Sequence, residues 1–283
     1  MIYSMLIDPS KCIGCRACQV ACKQWNQLPA EDTKFTGTYE NPPMLSPITW
    51  TRIVFNEREA DGGIKWNLTK QGCMHCTDAA CMQSCPAGAI YHTEYGTVAI
   101  DTEKCIGCNY CAANCPFNAI SFDRKTNVAR KCTFCVDRIA NGLKPACANA
   151  CPTGAITFGP RTDILSLAKE RVAELKKQGK SNAYIYGLEE MAGTANVYVL
   201  TESPEFYGLP TNPQVPLTAR LWGIVYKPLR FVVVLLAGFG LWANKSQSKD
   251  IQSRTDKKDK VLTNSQEVIE YQECTKNDDN NNV

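Results

Sequence analysis

Sixteen of the seventeen cysteines in this 283-residue chain fall into four groups of four, and this clustering constrains the fold more than any other feature. The groups, numbered in chain order, are Cys12, Cys15, Cys18 and Cys22 (quartet 1); Cys73, Cys76, Cys81 and Cys85 (quartet 2); Cys105, Cys108, Cys111 and Cys115 (quartet 3); and Cys132, Cys135, Cys147 and Cys151 (quartet 4). Quartets 1 and 3 have the spacing C-x2-C-x2-C-x3-C, which is typical of ligands to [4Fe-4S] clusters. We therefore expect the sixteen thiolates to bind iron through such clusters.

Disulfides and zinc are the other uses of closely spaced cysteines. Disulfides explain the spacing poorly, because cysteines separated by two residues more often chelate a metal than pair with each other. Zinc sites combine two C-x2-C pairs, whereas three cysteines in a row supply three ligands to one cluster. A zinc-binding interaction module remains the alternative from a different class of protein, and iron and sulfide contents of about sixteen each per chain would exclude it.

An internal repeat organises the cysteine-rich region. Residues 7–15 recur in similar form at 100–108, and the pattern C-P-x-x-A-I occurs at 85–90, 115–120 and 151–156. Repetition of this kind indicates a duplicated ferredoxin-like unit. Short strands are predicted at 98–100, 120–122 and 156–158, from their apolar or alternating residues.

The repeat also predicts which cysteines share a cluster. In two-cluster ferredoxins the fourth cysteine of a run binds the other cluster. Quartets 2 and 3 are adjacent and would form one such pair, which leaves quartets 1 and 4 to form a second pair nested around it. The predicted ligand sets are Cys12, Cys15, Cys18 and Cys151 (set 1); Cys22, Cys132, Cys135 and Cys147 (set 2); Cys73, Cys76, Cys81 and Cys115 (set 3); and Cys85, Cys105, Cys108 and Cys111 (set 4).

The predicted fold class is α+β, with duplicated 2[4Fe-4S] ferredoxin-like units and one C-terminal transmembrane helix. The four-cluster domain spans 1–160 and contains an insertion at 23–72, with a strand-like run at 50–55. An extension at 161–220 contains a helix at 163–179 that packs on the core or on a partner, and a strand at 196–201. For that helix we expect Asp163 as the N-cap, Gly179 as the end, and an apolar stripe of Ile164, Leu167, Ala168, Val172 and Leu175.

The longest apolar segment, 221–243, is interpreted as a membrane anchor, although its uninterrupted part covers only 231–243. A transmembrane helix needs about 20 apolar residues, so the anchor must include Lys227 and Arg230 near one interface. A buried helix docked on another subunit is the alternative. More basic residues follow the segment than precede it, which predicts a cytoplasmic C-terminus and a cluster domain on the extracytoplasmic face.

The two ends of the chain complete this interpretation. No signal peptide precedes quartet 1, so export would require a signal-bearing partner. Residues 244–283 read as a disordered polar tail, in which Cys274 is predicted not to be a ligand.

The sequence gives no indication of catalytic residues. It contains no phosphate-binding glycine motif and no nucleophile–base pair, and four thiolates per cluster leave no iron open to substrate. A net charge of +3 does not indicate a nucleic-acid partner. His75, between Cys73 and Cys76, is interpreted as a spacer, with tuning of a cluster as the alternative. The substrate chemistry is therefore expected on another subunit.

The quartets resemble those of the four-cluster electron-transfer subunits of molybdopterin oxidoreductases. The similarity is carried by C-x2-C-x4-C-x3-C-P in quartet 2 and C-x2-C-x11-C-x3-C-P in quartet 4. Within that family, residues 12–22, 24–26, 73–76 and 170–175 look most like the beta subunit of membrane-bound formate dehydrogenase, and 207–210, 222–224 and 227–229 extend the resemblance into the anchor. Lys23 stands where the other quartets have proline, a departure that quartet 1 of the family often shares.

The resemblance implies four [4Fe-4S] clusters, the nested ligand sets, a molybdenum or tungsten bis-pterin catalytic alpha subunit, and a membrane cytochrome b-type gamma subunit. It also implies that the alpha subunit carries the export signal, and that the pair from quartets 2 and 3 lies nearer the membrane. Electrons from formate would then pass through the chain towards quinone. The alternatives are the same relay in a dimethyl sulfoxide, polysulfide or similar reductase, a cytoplasmic complex that reduces carbon dioxide, and a stand-alone iron–sulfur enzyme.

Overall fold

The computed structural model describes residues 1–60, 62–222, 232–242 and 245. The strands are β1 (Tyr3–Ile7), β2 (Thr51–Ala60), β3 (Gly63–Gly72), β4 (Ile90–His92), β5 (Val98–Ile100), β6 (Ser121–Asp123), β7 (Val128–Arg130), β8 (Ile156–Pro160), β9 (Tyr184–Tyr186) and β10 (Asn196–Leu200). The helices are α1 (Ala17–Trp25), α2 (Ala80–Gln83), α3 (Tyr110–Ala113), α4 (Val136–Ala140), α5 (Ala146–Asn149), α6 (Arg161–Lys177) and α7 (Leu217–Leu221). Turns of 3-10 helix occur at Pro9–Lys11, Glu190–Ala192 and Pro204–Tyr207.

A four-stranded sheet in the order β8-β1-β10-β9 joins the two ends of the cysteine-rich region. Strand β1 runs antiparallel to β8, with Ile7 opposite Ile156, and parallel to β10. Because β1 precedes quartet 1 and β8 follows quartet 4, this pairing brings those quartets to the same region of the molecule. The topology supports the predicted nesting of quartets 1 and 4 around quartets 2 and 3.

The two faces of this sheet have different neighbours, as the alternation of side chains along a strand requires. Leu6, Val197 and Val199 are buried in one apolar cluster with residues of α6. Ile7, Tyr198 and Leu200 are buried in another cluster, which includes Cys22, Cys73 and Cys132. The sheet therefore separates the supporting helix from the cysteines.

The predicted helix after β8 is present as α6, but two details of the prediction were wrong. Strand β8 runs directly into the helix, so Pro160 occupies the N-cap position and Asp163 lies within the first turn. Leu167 is 39 % exposed, because it lies at the edge of the stripe, on the side away from Val172. The chain leaves the helix at Gly179, whose φ of +84° suits a residue without a Cβ.

Three hairpins carry the other predicted strands. β2 and β3 form a long hairpin within the insertion, from the pair Thr51–Gly72 to the pair Ala60–Gly63, and extend the strand-like run beyond its predicted length. β4 pairs with β5, as β6 does with β7. β6 begins one residue later than predicted, because Ile120 turns into the cluster of buried residues that contains Cys85 and Cys111. The strands predicted around 156–158 and 196–201 correspond to β8 and β10.

The structure divides into two units, Met1–Ile224 and Val225–Val283. In the second unit residues 232–242 are helical. Within the described parts of the chain, no helix has both the length and the apolar character needed to cross a membrane. The predicted anchor includes residues 223–231 and 243, which lie outside the described residues, as do Cys274 and the predicted tail apart from Lys245.

An aspartate turn explains why Ile-Asp-x-x-Lys-Cys is repeated before quartets 1 and 3. Oδ1 of Asp8 accepts a hydrogen bond from the Ser10 amide at 3.1 Å. Oδ1 of Asp101 accepts one from the Glu103 amide at 3.0 Å and a second from the Lys104 amide at 3.3 Å. Aspartate forms local turns of this kind readily, and here each turn directs the chain into the first cysteine of its quartet.

Asp8 is also the carboxylate that joins quartet 1 to α6. Arg171 Nε donates to Asp8 Oδ2 at 2.7 Å, and the Asp8 side chain is only 3 % exposed. Lys11 Nζ lies 3.9 Å from the same oxygen, but its side chain is 46 % exposed. The pairing partner that matters for stability is therefore the arginine.

Replacing Arg171 with Met leaves the buried Asp8 carboxylate without its main partner, and we expect a loss of about 3 kcal/mol in the free energy of unfolding. The matched variant Lys11→Met removes an exposed pair and is expected to cost less than about 1 kcal/mol. Anaerobic urea unfolding of the iron-loaded chain measures both. Equal losses in the two variants would contradict this account of the Asp8 contact.

Candidate metal centres

All sixteen quartet cysteines lie within the described residues and are free thiols. Eight are buried and seven are partly buried, whereas Cys15 is exposed. The surrounding apolar residues form clusters that include cysteines from distant parts of the chain. The fold thus collects most of the thiols in its interior.

The thiols of set 1 line a single cavity. Its walls include Cys12, Cys15 and Cys18 from quartet 1 and Cys151 from quartet 4. Burial raises the pKa of Cys12, an amide hydrogen bond from Gly14 opposes this shift, and the charges of Cys151 and Cys15 add to it. The fourth cysteine of quartet 1, Cys22, is not among the residues that line this cavity.

Cys22 has the thiols of quartet 4 as its neighbours instead. Burial raises the pKa of Cys22 to about 12, with further increases from the charges of Cys132 and Cys147. The pKa of Cys135 is raised by burial and by the charges of Cys132, Cys147 and Cys22. These four thiols correspond to set 2.

Quartets 2 and 3 exchange their last cysteines in the same manner. The pKa of Cys76 is raised by burial and then by the charges of Cys73, Cys81 and Cys115. These thiols correspond to set 3.

In set 4, Cys111 has the other three thiols of its set as neighbours, as Cys76 has in set 3. Burial raises the pKa of Cys111 to about 12, and the charges of Cys108, Cys85 and Cys105 contribute. In both sets the neighbours therefore include the last cysteine of the other quartet.

Shared apolar clusters give the order of the sets through the protein. Cys18 of set 1 and Cys147 of set 2 are buried in one cluster. Cys132 of set 2 and Cys73 of set 3 are buried in a second cluster, and Cys81 of set 3 packs against the third, which contains Cys111 of set 4. The sets therefore follow one another in the order 1, 2, 3, 4.

The residue before the second cysteine of every quartet has a positive φ. Gly14 and Gly107 have φ values of +68° and +71°, and His75 and Phe134 have +52° and +59°. A Cβ on Gly107 would lie 2.7 Å from the Asn127 carbonyl oxygen, so glycine is needed there for space as well as for conformation. His75 and Phe134 adopt this costly conformation because both side chains are fully buried.

His75 has a structural contact that the sequence did not reveal. Its ring packs edge-on against Phe134, with ring centroids 4.9 Å apart, and so joins quartet 2 to quartet 4. Its Nδ1 accepts a hydrogen bond from the Val98 amide at 3.1 Å. Nδ1 is therefore unprotonated, and burial lowers the pKa of the ring well below its usual value, so the imidazole is neutral. The histidine is more than the spacer that was predicted.

The repeated C-P-x-x-A-I pattern places backbone N–H groups against sulfur. The residue before the alanine is Gly88, Asn118 or Gly154, with φ between +48° and +66°. This turn allows the Ala89 amide to donate to Cys85 Sγ at 3.3 Å and the Ala119 amide to donate to Cys115 Sγ at 3.5 Å. Donors to sulfur favour the thiolate form and raise the reduction potential of a bound cluster.

Other donors to sulfur lie outside the repeat. The Ala129 amide donates to Cys105 Sγ at 3.5 Å, and the Phe134 amide donates to Cys132 Sγ at 3.3 Å. Asn26, the residue that follows α1 as its C-cap, has its Nδ2 3.7 Å from Cys22 Sγ. The repetition of alanine after C-P-x-x was the available signal for the first group of donors, whereas no sequence pattern marked these.

Two buried lysines near the thiols were also missed. Lys70 and Lys131 are 1 % and 4 % exposed. Lys131 Nζ donates to the carbonyl oxygens of Val98 and Cys132. Lysine side chains usually face solvent. Burial of Lys70 in β3, and of Lys131 directly after β7, therefore depends on tertiary packing that the sequence pattern does not show.

Converging thiols, amide donors aimed at sulfur and buried positive charge together fit an iron–sulfur cluster better than a disulfide framework. The first comparison with known proteins agrees. Residues 11–89 and 64–161 each match the model of a 4Fe-4S dicluster domain.

The comparison with individual proteins is decisive. The chain is 44 % identical over 256 residues to the nitrate-inducible formate dehydrogenase iron–sulfur subunit of Escherichia coli K12, covering 87 % of each chain. It is 45 % identical over 234 residues to a formate dehydrogenase iron–sulfur subunit of Haemophilus influenzae, covering 81 % of this chain and 75 % of that one. The chain belongs to the family of formate dehydrogenase iron–sulfur subunits. This membership confirms the predicted resemblance and removes the zinc-binding module from consideration.

A thiosulfate reductase electron transfer subunit of Salmonella typhi is similar over a shorter region. It is 39 % identical over 158 residues, which is 56 % of this chain and 75 % of that protein. Because the formate dehydrogenase subunits match a larger share of the chain, the similarity beyond the cysteine-rich region favours them. The family and its [4Fe-4S] clusters are established by these matches.

Proposed function

We propose that this chain is the electron-relay subunit of a formate dehydrogenase complex and that it holds four [4Fe-4S] clusters. The observation that carries the proposal is the continuous order of the four thiol sets, in which each set shares an apolar cluster with the next. Formate oxidation is proposed as the reaction of the complex because the relatives of this chain are named formate dehydrogenase iron–sulfur subunits. When bound, the clusters supply one-electron redox chemistry.

The proposed ligands are those of the crossed sets. Set 1 is supported by the cavity that Cys151 shares with three cysteines of quartet 1. Sets 2 to 4 are supported by the neighbours of Cys135, Cys76 and Cys111. The remaining contribution of the chain is to hold these sulfurs at fixed positions, to donate N–H groups to them, and to exclude water through the apolar clusters around them.

Both ends of the row reach the surface. Ile13 and Ile106, which occupy equivalent positions in quartets 1 and 3, are each 62 % exposed. Cys15 of set 1 is itself exposed, whereas Cys132 and Cys73 in the middle of the row are buried. This arrangement suits entry of electrons at one end and exit at the other. We place the molybdenum or tungsten catalytic subunit at set 1.

The opposite end is associated with the segment that leads to the proposed anchor. Thr218 Oγ1, in α7, donates to Asn114 Oδ1 at 2.8 Å, next to Cys115. The Tyr110 ring, next to Cys111, lies 5.8 Å from the Trp222 ring. These contacts support a position nearer the membrane for sets 3 and 4. We propose that a membrane cytochrome b-type subunit receives the electrons there.

The membrane location rests on the sequence. Residues 221–243 form the longest apolar segment, with six basic residues at 245–260 and three at 220–230. The excess of positive charge after the segment supports a cytoplasmic C-terminus and a cluster domain on the extracytoplasmic face. Export would then depend on the catalytic subunit.

A relay in a different molybdopterin oxidoreductase is the second candidate, favoured by the similarity to the thiosulfate reductase electron transfer subunit. The two candidates share the thiol sets and differ in the catalytic subunit. Formate turnover by the isolated complex distinguishes them.

The relay is tested by replacing Cys108, a set 4 thiol, with Ser in the intact complex. We expect quinone reduction by formate to fall at least about 100-fold, because every electron must pass that set, while reduction of an artificial dye by the catalytic subunit is retained. Cys274→Ser, which changes the one cysteine outside the quartets, is the control and should leave both activities unchanged. Unimpaired quinone reduction in the Cys108 variant would exclude the relay.

The ligand sets are tested by two double variants analysed for iron. Cys22→Ala with Cys147→Ala removes two ligands of set 2, so the iron content should fall by about four per chain. Cys18→Ala with Cys22→Ala removes two neighbouring ligands that belong to sets 1 and 2, and here the loss should be about eight. If each quartet held its own cluster, the two results would be interchanged.

A further inference from the structure

Lys70 is a buried cation with no hydrogen-bond acceptor of its own. Its side chain is 1 % exposed, and Nζ has no hydrogen-bond partner in the protein. Lys70 takes part in none of the ion pairs formed by the described residues. A buried ammonium group without a partner is costly, so its presence at this position requires an explanation.

The location of Lys70 explains why an ammonium group is buried there. The residue lies in β3, opposite Ile53 of β2, and lines the cavity that contains the set 1 thiols. Its Nζ lies 3.4 Å from the position that a Cβ on Gly72 would occupy, and Gly72 immediately precedes Cys73. The hairpin thus carries a positive charge from the insertion into the cysteine-rich interior.

Lys70 lies beside two neighbouring thiol sets, because Cys18 lines the same cavity and is buried in one apolar cluster with Cys147. Burial opposes the charged form, but Cys147, Tyr198, Cys132 and Cys18 outweigh it and raise the pKa of the lysine. Cys18 belongs to set 1, whereas Cys132 and Cys147 belong to set 2. The Tyr198 hydroxyl donates to the Lys70 carbonyl at 3.0 Å and fixes the strand at this point.

Lys131 provides a contrast within the same interior. Its ammonium group is also buried, but it donates to two carbonyl oxygens, one of them that of Cys132 at 3.1 Å. Lys131 is therefore satisfied by the protein alone. Lys70 is not, and the cavity that it lines is shared with the four thiols of set 1.

We propose that Lys70 is the charge-compensating residue of the clusters held by sets 1 and 2, and that its ammonium group raises their reduction potentials. This inference rests on the proposed ligand sets. Reduction adds one negative charge to a cluster, and a nearby cation in a medium of low dielectric constant stabilises that charge. Removal of the cation must therefore lower the potentials of the clusters beside it.

The test is a redox titration of the complex, followed by electron paramagnetic resonance, in Lys70→Met, Lys70→Gln and Lys70→Arg. The neutral variants should shift the potentials of two clusters to lower values and leave the other two within error. The arginine variant keeps the charge and should remain close to the wild type. Lys65→Met, in the same strand but paired with Glu202, is the matched control and should shift none of the four.

The outcome separates this inference from the relay itself. If the neutral variants contain about sixteen iron atoms per chain and titrate like the wild type, the role of Lys70 is excluded while the relay stands. A wild-type chain that lacked the four clusters would exclude the relay instead. A shift in Lys65→Met equal to that in Lys70→Met would also contradict a local role.

A second measurement tests the proposal on the wild-type complex, and it applies even if the neutral variants fail to retain iron. In wild-type complex labelled with [15N]lysine, spin-echo spectra of the reduced clusters should show a coupling to lysine nitrogen. Lys70→Arg, labelled in the same way, should lose it. Absence of any coupling that depends on Lys70 would overturn the proposal.

Discussion

The antiparallel pairing of β1 with β8 is the interaction on which the arrangement of the cysteines depends. It joins residues 3–7 to residues 156–160 and so closes the cysteine-rich region into a loop. Parallel pairing of β1 with β10 and packing of α6 then cover the outer side of this sheet. With its ends joined, the chain presents Cys151 to the cysteines of quartet 1, while quartets 2 and 3 lie between them in sequence.

Burial of eight thiols and partial burial of seven more creates an electrostatic difficulty that local structure reduces. Desolvation raises the pKa values of the buried thiols Cys18, Cys22, Cys111 and Cys132, and repulsion between thiolates adds to this shift. Amides such as those of Ala89 and Ala119 donate to sulfur, and Lys70 and Lys131 place positive charge within the interior. The same features that make thiolate burial tolerable also set the potentials available to an electron relay.

The sequence predicted those parts of the molecule that depend on local pattern. Cysteine spacing predicted the [4Fe-4S] clusters that the family matches support, and the repeats predicted the strands β5, β6 and β8 among the ten of the described residues. Prediction was less accurate where the outcome depended on neighbours distant in sequence: Asp163 is not the N-cap because β8 continues into α6, and Leu167 is exposed at the edge of its stripe. Burial of Lys70 follows from the position of the β2–β3 hairpin over the thiols, and an alternating strand pattern contains no information about that contact.

The crossed ligand sets are the central claim, and diffraction at the iron absorption edge from crystals of the intact complex tests them most directly. The account predicts four iron peaks in this chain, with Cys151 bound at the peak that Cys12, Cys15 and Cys18 share, and Cys22 bound at the peak of Cys132, Cys135 and Cys147. Cys151 bound at the same peak as Cys132, Cys135 and Cys147 would contradict it.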